Sequence, residues 1–185
     1  MTTRTQATIE DLYQVKSKAE LVNGEILLMA PTGYLPNYAA SEIFVSLREH
    51  SGRTKSGYAI ADNAGFRVRL PNRGSFSPDA AWYTGKPKGM KFLEGTPALA
   101  VEVRSEGDYG ASAEREMAAK RSDYFAAGTL CVWDVDLLGT DVVKAYFASD
   151  PENPVIFRRG DAANAGEAAP GWCMSVDDLF PEEEE

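Results

Sequence analysis

Two short segments, residues 98–104 and 129–135, are apolar on both faces of an extended backbone. Such segments are typical of central strands that are covered on both sides. Between them, residues 112–127 carry apolar side chains at helical spacing and end at Gly128. The pattern therefore predicts a β-α-β unit, in which two parallel strands are joined by a right-handed crossover through the helix.

The first third of the chain shows three further signals. Thr8 and Asp11 form a capping-box pattern that predicts a short N-terminal helix. Asn23-Gly24 lies between two apolar runs and predicts a β-hairpin. Asn37 precedes apolar positions at helical spacing, so we expect it to cap a second helix that ends near residues 51–52.

Alternating or short apolar runs predict three more strands, over residues 66–70, 75–83 and 142–147. The segment 160–171 consists mostly of small residues and is expected to be a mobile loop. The order of elements predicts an α/β (α+β) protein with a mixed central sheet.

Length and composition fit this picture. The chain has 185 residues, of which 44% are hydrophobic and 10% aromatic, enough for one well-packed domain. We expect that domain to span residues 1–180, followed by an acidic tail at 181–185. No apolar run reaches the roughly 20 residues that span a bilayer, and the N-terminus lacks the apolar stretch of a secretion signal. A cytoplasmic location without membrane association is the expectation.

Several kinds of site are excluded by the residues available. His50, Cys131 and Cys173 are the chain's complete supply of histidine and cysteine, too few for a four-ligand zinc site. We expect the two cysteines to be free thiols, and a Cys131–His50 nucleophile pair is the weaker interpretation. Glycine-rich phosphate-binding motifs are also missing from the sequence.

Charge is distributed unevenly. The formal net charge is −9, but residues 48–91 carry nine lysines and arginines against three acids, a local charge of +6. The rest of the chain therefore carries −15. A basic segment on an acidic protein is compatible with a polyanion that touches one face, and equally with a solvated surface that keeps the protein soluble.

Three charged residues occupy positions that the pattern assigns to buried faces. Glu102 lies in the central strand, Asp79 follows Pro78 at a strand start, and Lys120 interrupts the apolar stripe of the helix 112–127. A buried charge is costly unless it is paired or binds a metal. Because the helix follows the strand of Glu102 directly, we expect Lys120 to point at the same end of the sheet.

Two carboxylates and a lysine suit metal-assisted phosphodiester hydrolysis. Asp79 and Glu102 would hold Mg²⁺ or Mn²⁺ through oxygen ligands, and the metal would activate a water. Lys120 would orient that water or stabilise the transition state. Arg104, on the same strand face as Glu102, is a candidate for contact with a substrate phosphate.

Each of these residues also has a purely structural interpretation. Glu102 and Arg104 can form an ion pair at a strand end. Glu116 and Lys120 have the favourable i, i+4 order of a surface pair on a helix. Asp79, following Pro78, can accept hydrogen bonds within a turn.

At these positions the chain carries four groups of residues that occur together in a known family: Glu20-Leu-Val-Asn-Gly-Glu25, Pro78-Asp79-Ala80-Ala81, Val101-Glu102-Val103-Arg104-Ser105 and Lys120-x3-Tyr124-x3-Gly128. In these motifs the chain resembles the Uma-two family of restriction-endonuclease-like proteins, a domain of unknown function in the PD-(D/E)XK nuclease superfamily. The resemblance extends over roughly residues 8–180, in the family's order and spacing.

The resemblance implies a restriction-endonuclease-like mixed sheet flanked by helices, with a metal at Asp79 and Glu102 and the catalytic lysine at Lys120. It places Glu20 near the pocket and Arg104 where many relatives in the superfamily carry a lysine. It also implies a homodimer. The chain differs from the common family pattern at two places, with Asn37 where a histidine is frequent and Ser105-Glu106-Gly107 where Ser-Pro-Ser is frequent.

The leading hypothesis is therefore a Mg²⁺- or Mn²⁺-dependent endonuclease acting on DNA. A catalytically inactive nuclease-fold scaffold, which binds a partner or forms a homodimer, is the alternative favoured by Glu106 and the net charge of −9. A metal-dependent hydrolase of a small phosphate or nucleotide is a third. DNA binding that weakens steeply with salt would separate the first hypothesis from the third.

Overall fold

The computed structural model describes residues 6–182, which form three α-helices, thirteen strands and two short 3-10 helices. The helices are α1 (Ile9–Leu12), α2 (Tyr34–Thr54) and α3 (Ala111–Ala127). The strands are β1 (Ala19–Val22), β2 (Glu25–Leu28), β3 (Tyr58–Ala61), β4 (Phe66–Leu70), β5 (Arg73–Phe76), β6 (Ala80–Tyr83), β7 (Leu93–Glu94), β8 (Leu99–Val103), β9 (Cys131–Val135), β10 (Val143–Phe147), β11 (Asp150–Phe157), β12 (Ala162–Asn164) and β13 (Cys173–Ser175). The 3-10 helices cover Gly166–Ala168 and Val176–Leu179.

These strands form two large mixed sheets. Six strands in the order β11-β10-β9-β8-β6-β3 make the central sheet, and five in the order β2-β1-β5-β4-β7 make a second sheet. The β8–β9 and β4–β7 pairs are parallel, whereas the other paired strands are antiparallel. The mixed α+β class predicted from the sequence is confirmed.

The β-α-β unit is also confirmed, since β8 and β9 are parallel neighbours joined through α3. The two faces of β8 meet different partners. Leu99 and Val101 belong to the core cluster that contains Ile43 and Leu47 of α2. Ala100 lies in the opposite cluster, with Tyr124 of α3 and apolar side chains of the second sheet. Glu102 shares the face of Ala100 and therefore points toward α3 and the second sheet.

The hairpin and the first cap are as predicted. Asn23 and Gly24 have φ angles of 51° and 72°, which suit the tight turn between β1 and β2. The Thr8 side chain accepts a bond from the Asp11 backbone, and the Asp11 carboxylate bonds back to the Thr8 backbone. Asn37 as a helix cap was wrong, because α2 already begins at Tyr34 with Gly33 before it.

The strand predicted over residues 75–83 is divided. β5 ends at Phe76 in the second sheet, and β6 begins at Ala80 in the central sheet. Pro78 lies between them and has no N–H with which to continue a ladder of hydrogen bonds. The chain therefore passes from one sheet to the other at this point, and Asp79 lies at the crossing.

The mobile loop predicted over residues 160–171 was wrong. β12 pairs with β13, and the first 3-10 helix follows it. Ala163, Ala165 and Ala168 are buried in the main core. Here small side chains allow close packing of the backbone against the core, so their size does not indicate flexibility.

Both cysteines are free, with Cys131 buried in β9 and Cys173 exposed. Within residues 6–182, none of the helices is long and apolar enough to cross a membrane. Residues 183–185, which make up most of the predicted acidic tail, lie outside the described residues.

Candidate active site

Lys120 and Glu102 meet on the face of the central sheet that is covered by α3. The Lys120 ammonium donates a hydrogen bond of 2.8 Å to Glu102 Oε2, and the Tyr124 hydroxyl donates one of 2.7 Å to Oε1. Residues 120 and 124 lie one turn apart on α3, so a single helix face supplies both donors. The alternative pair of Lys120 with Glu116 is not formed, and Glu116 accepts a bond from Ser112 instead.

Asp79 is held beside the same strand by a backbone group. Its Oδ2 accepts a hydrogen bond of 2.8 Å from the N–H of Val103, the residue after Glu102. Its Oδ1 accepts one of 2.7 Å from the Lys18 ammonium, which also donates to Asp62 at 2.6 Å. Burial lowers the pKa of Lys18, but the carboxylates of Asp79 and Asp62 outweigh this effect and raise it overall. Lys18 is therefore a cation at neutral pH.

Glu20 joins the second sheet to this cluster. It is 3% exposed and accepts hydrogen bonds from the Arg73 guanidinium at 2.6 Å and from the Ser77 backbone at 2.8 Å. Lys120 Nζ lies 3.0 Å from Glu20 Oε1, so Lys120 bridges the glutamates of the two sheets. Burial raises the pKa of Glu20, but the positive charges of Lys120 and Arg73 outweigh it and lower the pKa overall.

The protonation state of Glu102 changes near neutral pH. Burial raises its pKa to about 7, helped by the negative charges of Asp79 and Glu20 and opposed by Lys120. Burial lowers the pKa of Lys120, but Glu102 and Glu20 raise it overall, so the amine stays charged. Burial, together with the charge of Glu102, raises the pKa of Tyr124 well above its ordinary value. Tyr124 therefore acts as a neutral hydrogen-bond donor.

Arg104 has different partners from the other predicted site residues. It is 5% exposed and donates two hydrogen bonds of 2.8 Å to Asp134 of β9. It also donates to Glu114 of α3. Its guanidinium thus ties β8 to β9 and to the start of α3, and the strand-end pair with Glu102 is not among its bonds. Contact of Arg104 with substrate stays a prediction.

Residues 7–177 match a family model described as "Uma2: Putative restriction endonuclease". This chain belongs to the Uma2 family. The solved structures include a similar protein from Anabaena variabilis ATCC 29413, described as a putative nuclease belonging to DUF820. It is 14% identical in sequence, has a TM-score of 0.73, and the match covers 94% of the Uma2 chain and 97% of the other. At this identity the likeness establishes the fold. None of the curated proteins matches the chain.

The charges of this Uma2 site form two ion-paired groups with an excess of one negative charge each. Lys18 faces two carboxylates, those of Asp62 and Asp79. The second group sets two cations against three carboxylates and comprises Lys120, Arg73, Glu20, Glu102 and Asp123. A divalent cation shared by Asp79 and Glu102 would neutralise both groups. Hard carboxylate oxygens are the ligands that Mg²⁺ and Mn²⁺ prefer, so this donor set fits such an ion.

The ligand set of the Uma2 chain is small. Among the described residues, no group of three or more histidine, cysteine, aspartate and glutamate side chains is arranged to hold a metal. A cation at Asp79 and Glu102 would therefore complete its coordination with water and substrate oxygens, which is the usual behaviour of Mg²⁺.

Sequence reasoning missed three contributors to this site. Lys18 stands two residues before Glu20, a spacing that places both on one face of an extended segment, but its partner Asp79 is 61 residues away. Arg73 is paired with Glu20 across 53 residues. Tyr124 was named only within the motif Lys120-x3-Tyr124-x3-Gly128, with no role in the site.

Proposed function

We propose that this protein is a Mg²⁺- or Mn²⁺-dependent endonuclease that hydrolyses phosphodiester bonds of DNA. The observation that carries the proposal is the bridging by Lys120 of the buried Glu20 and the half-buried Glu102, beside Asp79, which is hydrogen-bonded to the backbone of the strand of Glu102. Lysine and carboxylate side chains that converge at partly buried positions are typical of catalytic sites with perturbed pKa values. Membership of a family described as "Putative restriction endonuclease" supports the same conclusion.

In this proposal Asp79 and Glu102 hold the cation. The bound metal supplies Lewis-acid activation of a water and neutralises charge on the phosphate. Tyr124 and Lys120 orient the Glu102 carboxylate through its two oxygens. Lys120 remains protonated, so it donates to the attacking water or to a phosphate oxygen. Glu20, itself held by Arg73, keeps the Lys120 ammonium in place from the second sheet.

A DNA backbone requires positive charge on the protein surface that it contacts. Three exposed lysines, Lys86, Lys88 and Lys91, lie in the loop between β6 and β7. Counterion release from phosphates makes such contacts strongly salt-dependent. Binding of DNA that weakens steeply with salt would also separate this proposal from hydrolysis of a small phosphate.

Nicking of supercoiled and single-stranded DNA with Mg²⁺ or Mn²⁺ tests the proposal. We expect Asp79→Asn and Glu102→Gln each to lower the rate by at least about 100-fold, because each removes a charged metal ligand. Glu152→Gln, a matched substitution at an exposed position of β11, should cleave like the parent. Equal rates for the parent and both site variants would refute the assignment.

One observation favours a second candidate, a catalytically inactive scaffold that binds a partner or a second copy of the chain. All six carboxylate oxygens of Glu20, Asp79 and Glu102 already accept a bond from protein donors. In a scaffold these bonds are permanent and the site takes up no metal. Calorimetric titration with Mn²⁺ decides between the two, since micromolar binding that Asp79→Asn abolishes excludes the scaffold.

A further inference from the structure

One oxygen of Asp79, the proposed metal ligand, accepts a hydrogen bond from an ammonium group. Lys18 Nζ lies 2.7 Å from Asp79 Oδ1, while the Val103 N–H takes the other oxygen. The side chains of Lys18 and Asp79 are each 15% exposed, so water screens their attraction only weakly. A divalent cation on Asp79 and the Lys18 ammonium on the same carboxylate would repel each other at close range.

We propose that Lys18 is an exchangeable counter-ion, which neutralises Asp79 in the metal-free protein and moves to a phosphate oxygen of the substrate when a divalent cation binds. The inference rests on the proposed function, since it takes Asp79 as a metal ligand. It gives Lys18 two tasks, competition with the metal and binding of the substrate.

Asp62 makes this exchange feasible. It binds the same ammonium at 2.6 Å and is more exposed than Asp79, at 36%. When Asp79 is taken by a metal, Asp62 still holds the amine beside the site. The four-carbon stem of lysine allows its ammonium to swing over several ångströms without movement of the backbone.

The arrangement differs from that of Lys120. Lys120 binds two glutamates, one of them only 3% exposed and held by Arg73 and Ser77 as well. Lys18 binds two aspartates, one of which reaches solvent. Of the two lysines, Lys18 is therefore the one whose partners allow its ammonium group to move.

Calorimetric titration of the whole protein with Mn²⁺ tests the competition. We expect Lys18→Met to bind Mn²⁺ at least about fivefold more tightly than the parent, because the competing cation is gone. Lys16→Met, an exposed neighbour on the same segment, should bind like the parent. Lys18→Gln repeats the test if the Met variant does not fold by circular dichroism.

Asp62→Asn should have the opposite effect. Without Asp62, Lys18 is held by Asp79 alone and Mn²⁺ binding weakens. In the Lys18→Met background the same substitution should change Mn²⁺ affinity much less, since Asp62 is proposed to act through Lys18.

Fluorescence anisotropy of a labelled duplex, with Ca²⁺ in place of the catalytic ion, tests the second task. Lys18→Met should weaken DNA binding several-fold and reduce the slope of log affinity against log salt by about one. Lys16→Met again serves as the control for a general loss of charge.

The outcomes separate this inference from the proposed function. If Asp79→Asn abolishes Mn²⁺ binding but Lys18→Met binds no more tightly than the parent, Lys18 is a fixed brace and only this inference fails. If neither the parent nor Lys18→Met binds Mn²⁺, both fail. Binding that appears only in Lys18→Met supports the exchange directly.

Discussion

At the scale of single residues, the site depends most on Lys120, whose amine bridges Glu102 and Glu20. Methionine fits the apolar stripe, so on the sequence alone we expect Lys120→Met to abolish activity while stability holds or rises if Lys120 is a site residue. If Lys120 only pairs with Glu116 at the surface, we expect stability to change by less than about 1 kcal/mol and activity to persist. The structure changes that expectation. The substitution would leave two largely buried carboxylates facing each other without their shared cation.

We therefore expect Lys120→Met to abolish nuclease activity and to lower the free energy of unfolding by about 2 kcal/mol at pH 8. The loss should be smaller at pH 6, because Glu102 then takes up a proton and its charge disappears. Urea denaturation at the two pH values measures the difference. Arg115→Met, at an exposed position of the same helix, should change neither quantity by more than about 0.5 kcal/mol. A stable, active Lys120→Met protein would show that the bridge has no role.

Asp79, Glu102 and Lys120 could be singled out from the sequence, because each is a charge at a position that the pattern assigns to a buried face, and their role in catalysis stays a prediction. The sequence was not sufficient to pair them. The bonds of Lys18 to Asp79 and of Arg73 to Glu20 join parts of the chain more than fifty residues apart. The Lys18–Asp79 pair depends on the packing of the second sheet against the central one, and the Arg73–Glu20 pair depends on β1 and β5 being neighbours in the second sheet. Local periodicity contains no information on either arrangement.

At the scale of elements, Arg104 connects β8, β9 and α3 through Asp134 and Glu114. The β-α-β unit itself was predictable from two apolar runs around a helical one. The partners of Arg104 could not be predicted, because they depend on the register between β8 and β9. That register places Asp134 opposite position 102 of β8, within reach of the Arg104 side chain. The division of the predicted strand 75–83 at Pro78 could not be predicted either. Both halves have the sequence pattern of a strand, and they differ only in the sheet to which they belong.

We expect Arg104→Met to lower the free energy of unfolding by about 3 kcal/mol, because Asp134 is 3% exposed and would lose its partner. The effect on the Mn²⁺ affinity of Asp79 and Glu102 should be slight. Chemical denaturation and calorimetry give the two values. The double variant Arg104→Met with Asp134→Leu should recover part of the lost stability, which it would not do if Arg104 served the substrate alone.

At the scale of the whole molecule, stability and pH are linked through Glu102, and the proposed metal would take part in the same linkage. Its pKa in the folded protein is about 7, above the ordinary value of 4.5, with burial as the main cause. The folded state therefore binds this proton more tightly than the unfolded chain does. The resulting stabilisation is complete below about pH 4.5 and is lost as the pH rises through 7. A cation at Glu102 would have the reverse preference, because it binds the ionised form.

Melting temperatures measured between pH 5.5 and 8 test this linkage. Without metal, the parent should lose stability toward pH 8 relative to Glu102→Gln, which lacks the titrating group. Saturating Mn²⁺ should raise the melting temperature of the parent more at pH 8 than at pH 6, and should leave Glu102→Gln nearly unchanged. If the melting temperatures of the parent and of Glu102→Gln changed with pH in the same way, the assignment of a raised pKa to Glu102 would be contradicted. Burial lowers the pKa of His50, and because His50 is common to both proteins it cancels in the comparison.

The bond between Asp79 and the Val103 N–H has a consequence for how this chain tolerates length changes. Because Asp79 stands directly before β6, adding or deleting one residue between Pro78 and the strand would bring a neighbour opposite Val103 and rotate the carboxylate away. The exposed segment after Tyr83 is under no such constraint and should accept insertions. Insertions and deletions among natural relatives are therefore expected after Tyr83, at the end of this four-residue strand, and not before its start.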